Sequence, residues 1–226
     1  MNYIKNYLNA KISNVLQIRD RIRICSKSLK HYFIYNKINP YFVYYVSTED
    51  IRYFQTGCIG QSPFTRLDRG TFDKYTPLRL DGNWDTQVTS IFETFVYQGL
   101  YQHFILKHPW DKTFLYPDNQ PPCHPVIGMR WRNIDKKKFY IQTDYIEKLF
   151  ISIAKRGCVS QNTLGGSFWD EITVNISRDG SFIRNSSGQH RLILSQILGI
   201  SHVPVRFLII HNKYNENISY KRRVLP

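Results

Sequence analysis

Residues 144–210 read as an unbroken series of regular elements, and that series limits the folds open to this 226-residue chain. From Asp144 to Arg156, Ile146, Leu149, Phe150 and Ile153 recur at helical spacing, and Gly157 supplies a C-cap. The stretch 171–176 alternates as a strand, Arg178-Asp179-Gly180 has hairpin-turn chemistry, and 181–184 returns as a second strand. Gly188 opens a helix that Gly199 closes, and Val203 to Ile210 is a strongly apolar strand. Helix, hairpin, glycine turn, helix and strand in this order predict an α/β (α+β) fold.

The rest of the chain is less regular. Residues 41–46 are aromatic and β-branched, which predicts a strand running into a turn or cap at Ser47-Thr48-Glu49-Asp50. Glycine and proline punctuate 55–125, where the spacing predicts one helix over 89–104 among aromatic-rich loops. The first 24 residues form a basic amphipathic pattern suited to the protein's own core, an anionic membrane surface or a nucleic acid. Net charge is +14, concentrated at the two ends: residues 1–46 carry eight Lys/Arg against one acid, and 151–226 carry ten against four. Such a balance makes polyanions plausible partners (nucleotide, DNA or RNA, an acidic polymer or an anionic membrane surface) without selecting among them. Cys25, Cys58, Cys123 and Cys158 have no paired spacing and read as free thiols, while His108, His124 and His211 lack metal-ligand spacing. Lys136-Lys137-Lys138 reads as a solvated face. No apolar run reaches the ~18 residues of a membrane helix, and the N-terminus lacks a signal-peptide pattern, so the expectation is a cytoplasmic protein.

The glycine turn carries the chemistry. A strand ending in Asn185-Ser186-Ser187-Gly188 and running straight into a helix offers unpaired amides to an anion, and the helix dipole adds to the attraction. Gln189, His190 and Arg191 fall in the first helical turn, where His190 and Arg191 are placed to reach the same phosphate.

These residues also carry a resemblance. Asp179-Gly180, Gly188-Gln189-His190-Arg191-Leu192, Leu198-Gly199 and Val203-Pro204-Val205 resemble the core of the ParB/sulfiredoxin superfamily, with a helix over 145–156 and a first strand and turn over 45–51. The segments Gly82-Asn83-Trp84-Asp85 and Trp110-Asp111-Lys112-Thr113 are similar to those of a group of ParB-like proteins with G-[DN]-W-D and W-[DE]-x-T patterns. The resemblance implies a core of 41–54 and 142–211, an N-terminal extension (1–40), an insertion (55–141) and a basic tail (212–226). Sulfiredoxin chemistry is not expected, because Gln189 stands where that family has its cysteine. In the ParB members the turn binds a nucleoside triphosphate. In the free serine kinases of this fold it binds nucleotide phosphates, and an acid after the first strand serves as base. The matching positions are Ser187, Gly188, Gln189, His190 and Arg191 for the phosphates and Glu49 or Asp50 for the base, with Ser187 replacing the family aspartate.

Two function classes stay open from sequence. One is a nucleotide-binding protein taking ATP, ADP or CTP with Mg²⁺, with phosphotransfer to a hydroxyl as its enzymatic form. The other is a non-catalytic nucleic-acid-binding module. Trp84, Asp85 and Asp111 are candidates for a substrate or metal pocket beside either.

Overall fold

The apolar run near the C-terminus becomes β7 (His202–His211), and three strands pair with it in the computed structural model. The structure describes residues 42–55, 78–121, 131, 134–185 and 187–214, with the single positions 22 and 38. The chain divides into two units, 1–43 and 44–226, and every element below belongs to the second. The basic N-terminal pattern with its membrane reading, Cys25, Cys58, Cys123, His124 and the tail beyond Tyr214 lie outside the described residues.

β1 (Tyr44–Ser47) runs antiparallel along the first half of β7, with Tyr44 opposite Val205 and Ser47 opposite His202. β3 (Leu78–Leu80) runs parallel to its second half, and β5 (Ile172–Ile176) pairs parallel along the other edge. β6 (Phe182–Arg184) returns antiparallel to β5 through the expected hairpin, whose Gly180 takes φ +88°. β2 (Ile51–Gln55) adds parallel to β6, and β4 (Val88–Ser90) adds antiparallel to β2. The mixed sheet therefore runs β1-β7-β5-β6-β2-β4, with β3 beside β7.

That order forces curvature. β1 and β2 stand four ladder steps apart, which in a flat sheet is about 19 Å. Only Thr48, Glu49 and Asp50 link Ser47 to Ile51, and such a link spans at most about 14 Å. The sheet must curl to bring the two strands within reach.

Among the described residues three α-helices accompany it; the last packs on β5, and the first two pack against the last. α1 (Phe95–Phe104) starts later than the spacing predicts, because the Thr94 hydroxyl accepts from the Tyr97 amide at 3.2 Å and caps the helix there. The β-branched Val88-Thr89 pair upstream joins β4 instead. α2 (Lys136–Arg156) starts eight residues earlier than expected, because Asp135 accepts from the Lys138 amide at 2.8 Å. Its buried stripe of Phe139, Ile146 and Ile153 repeats every seven residues, and Gly157 ends it as expected at φ +71°. α3 (Gln189–Ile197) follows the glycine turn. The stretch 55–141 thus contributes β3, β4, α1 and the first six residues of α2 to the same unit as 142–211.

β5 is buried on both faces. Ile172, Val174 and Ile176 face one side, Thr173 and Asn175 the other, and all five are under 3% exposed. Gly188 rests against this strand: a Cβ there would lie 2.6 Å from Ile172 Cγ1 and 2.7 Å from its Cα, and φ is +77°. Gly188→Ala is therefore expected to cost about 2–4 kcal/mol, from left-handed strain plus overpacking. A urea midpoint unchanged from wild type would show that the seat is loose.

Candidate functional site

The glycine turn is placed by hydrogen bonds to the start of β5. The Ser187 amide donates to Thr173 Oγ1 at 3.0 Å, and the Thr173 amide donates to the Ser187 carbonyl at 3.4 Å. α3 begins at once, and Gly188 has no side chain with which to cap it. The amides of Gln189, His190 and Arg191 have no acceptor within their own helix, as for any first turn. Ser187, Gly188, Gln189 and His190 are half-buried.

Arg191 turns inward. Its Nη2 donates to the Asp170 carbonyl, and its Nη1 lies 3.5 Å from Glu171 Oε2. The Glu171 carboxylate is fully buried, and its other oxygen accepts from Ser160 Oγ at 2.5 Å and from the Asn162 amide at 3.1 Å. Cys158 belongs to the same cluster: burial pushes its thiol up, against the opposing effect of a hydrogen bond with Ser195 and the charge of Arg191. A thiol held protonated in this way is a poor nucleophile. The guanidinium thus neutralises a buried acid, and its Nη1 and Glu171 Oε2 meet as charges without a hydrogen bond between them.

His190 is held by a residue that sequence reasoning did not single out. The buried Trp131 donates its indole N–H to His190 Nε2 at 3.0 Å. An indole nitrogen only donates, so Nε2 carries no proton and the ring is the neutral Nδ1–H tautomer. Arg191 is therefore engaged away from the turn, and His190 has its Nε2 taken by Trp131.

Glu49 and Asp50 stand elsewhere. The Thr48 amide donates to the Ser201 carbonyl at 2.9 Å, and Gln196 Nε2 donates to the Ile51 carbonyl at 2.9 Å. Both anchors lie at the C-terminal end of α3. From Gln189 to Gln196 the helix rises about 10 Å, so the exposed 49–50 turn is not brought to the glycine turn.

Trp84, Asp85 and Asp111 are not brought together either. Trp84 is a core residue packed with Ile183, Leu208 and Ile209, and Asp111 is exposed beside Trp110. Asp85, with its side chain 3% exposed, receives three hydrogen bonds from Arg178: from the backbone amide at 3.0 Å, Nε at 2.8 Å and Nη2 at 2.6 Å. His211 approaches to 3.9 Å. Its Nδ1 accepts from the Lys213 amide at 3.0 Å, and its Nε2 lies 2.9 Å from the Gly82 carbonyl. The 82–86 turn is pinned to the β5–β6 hairpin by this pair. Among the described residues, no three His, Cys, Asp or Glu side chains converge as a metal site.

Trp131, Glu171 and Arg178 are the residues that sequence reading missed as partners. Their contacts lie 59, 20 and 93 positions away in the chain, beyond the reach of any local pattern. Comparison with family models, curated proteins and solved structures finds no match for this chain.

The Asp85–Arg178 pair has a pH signature. Burial pushes the Asp85 carboxyl up, but the hydrogen bonds from Arg178 outweigh it and the net shift is downward. A folded pKa below the unfolded value of about 3.9 gives stability that is present above about pH 4 and lost as pH falls through the folded pKa. Arg178→Ala is expected to lose about 2–3 kcal/mol at pH 7, the partial exposure of the arginine reducing the full cost of a broken buried pair. Urea unfolding at pH 7 and pH 3 checks both points, since the deficit of the variant should shrink at the lower pH. A deficit that stays constant would contradict the pairing.

Proposed function

We propose that the protein binds the phosphates of a nucleotide at the N-terminus of α3. The observation that carries this reading is the first turn of α3, which follows a left-handed Gly188 directly, has no side-chain cap, and is only half-buried from Ser187 to His190. Such a terminus favours an anion through both its amides and its dipole. The resemblance of the turn and its flanks to ParB/sulfiredoxin-like proteins supports the same reading and suggests ATP, ADP or CTP as ligand. Mg²⁺, in this reading, is carried by the oxygens of the phosphates themselves.

Phosphotransfer to a hydroxyl acceptor is the enzymatic form of the proposal, and it has less support. A general base must come within hydrogen-bond reach of the acceptor. Glu49 and Asp50 lie by the far end of α3, so the proposal rests on binding and gives these two carboxylates no step.

Titration calorimetry with ATP, ADP, CTP and GTP plus Mg²⁺ tests the reading on wild type and Gln189→Asp. An aspartate in the first turn complements the helix dipole and should leave folding intact or slightly improved, by about 0.3–1 kcal/mol. It also places a negative charge where the phosphate would sit. The expected result is a nucleotide that binds wild type and binds the variant about tenfold or more weakly. Absence of binding by all four, or equal binding by both proteins, would overturn the proposal.

A further inference from the structure

α2 is buried along one side and open along the other, and its open side has an unusual make-up. Tyr140, Ile141 and Tyr145 are 52%, 64% and 52% exposed. One turn per 3.6 residues places them, with Lys137, Lys148 and Lys155, in an arc of about 140°. The centre of that arc lies nearly opposite the buried Phe139, Ile146 and Ile153. The helix carries six Lys/Arg against two acids and is about 30 Å long. Aromatic side chains about half open to water, interleaved with lysines, lie on the side of α2 turned away from its buried stripe.

We infer that this face of α2 binds single-stranded nucleic acid. Tyrosine rings offer flat surfaces on which bases stack, and lysines between them match a backbone of phosphates. Lys148 is paired with Asp144 at 2.6 Å, but both are mostly exposed, and such a pair is weak enough to open for a phosphate. Lys137 and Lys155 lie about 27 Å apart along the axis, enough to contact successive phosphates of one strand. An anionic membrane suits the face less well. A helix lying in a bilayer surface presents a continuous apolar stripe, whereas here Asp144, Lys148 and Ser152 interrupt the exposed apolar residues. The inference is independent of the phosphate site on α3 and concerns a different surface.

Fluorescence anisotropy with a 5′-labelled 20-nucleotide oligothymidylate, at 50 and 200 mM NaCl, tests it on the full chain. Wild type should bind, and should bind more weakly at the higher salt. Tyr140→Ala/Tyr145→Ala should bind about tenfold or more weakly at both salts. Both positions are exposed, so its thermal unfolding by circular dichroism should match wild type. Lys137→Ala/Lys155→Ala should lower the salt dependence, and Gln189→Asp should bind the oligonucleotide as wild type does. No binding by wild type at 50 mM, or equal binding by the tyrosine variant, overturns the inference. So does loss of binding in Gln189→Asp, which would place the strand on α3. Binding to phosphatidylserine vesicles that the oligonucleotide does not displace would assign the face to a membrane instead.

Discussion

The contact between Arg191 and Glu171 holds the start of α3 against the start of β5, and the candidate site depends on it. A fully buried carboxylate is tolerable only with a charge and hydrogen bonds around it. Glu171 has both: Ser160 and Asn162 on one oxygen and the guanidinium facing the other. Three residues further along the helix axis would put Arg191 out of range, so the pair also sets the register of α3. Gly188 completes the seat, since its bare Cα lets the helix approach Ile172 more closely than any other residue would allow.

This seating decides what the turn can do. With Arg191 directed inward and His190 Nε2 held by Trp131, the anion binding proposed at this helix end rests on amides rather than on the Arg191 charge. Amide cradles recognise the shape of a phosphate and act at short range, while long-range attraction comes from net charge elsewhere on the surface. The chain has such charge in excess, at +14. The two recognition surfaces proposed, an amide-lined helix end and a tyrosine-lysine helix face, divide these tasks between α3 and α2.

The regular stretch after residue 144 was legible because each element is bounded by residues with local meaning. Gly157, Gly180, Gly188 and Gly199 all adopt positive φ where the pattern places a cap or turn. The start of α2 was less legible, because Tyr140, Ile141 and Thr143 favour strands in isolation, and the Asp135 cap and the buried Phe139 stripe together draw them into the helix. β2 and β4 were hidden for a related reason: short strands gain their stability from neighbours far away in sequence, β6 in the case of β2. At the site, the turn and its helix could be read from Gly188 and the residues after it. The fate of Arg191, His190 and Asp85 could not, because it depends on partners brought in by the tertiary fold.

A double-mutant cycle on Glu171→Gln and Arg191→Gln, followed by urea unfolding at pH 7, tests the central contact most directly. The account predicts that each single change costs about 3–5 kcal/mol, because it leaves the other charge buried alone. It also predicts that the double change costs clearly less than their sum, with a coupling of about 2 kcal/mol or more. Costs that add to within about 0.5 kcal/mol would contradict it, and would mean that α3 is seated by packing alone.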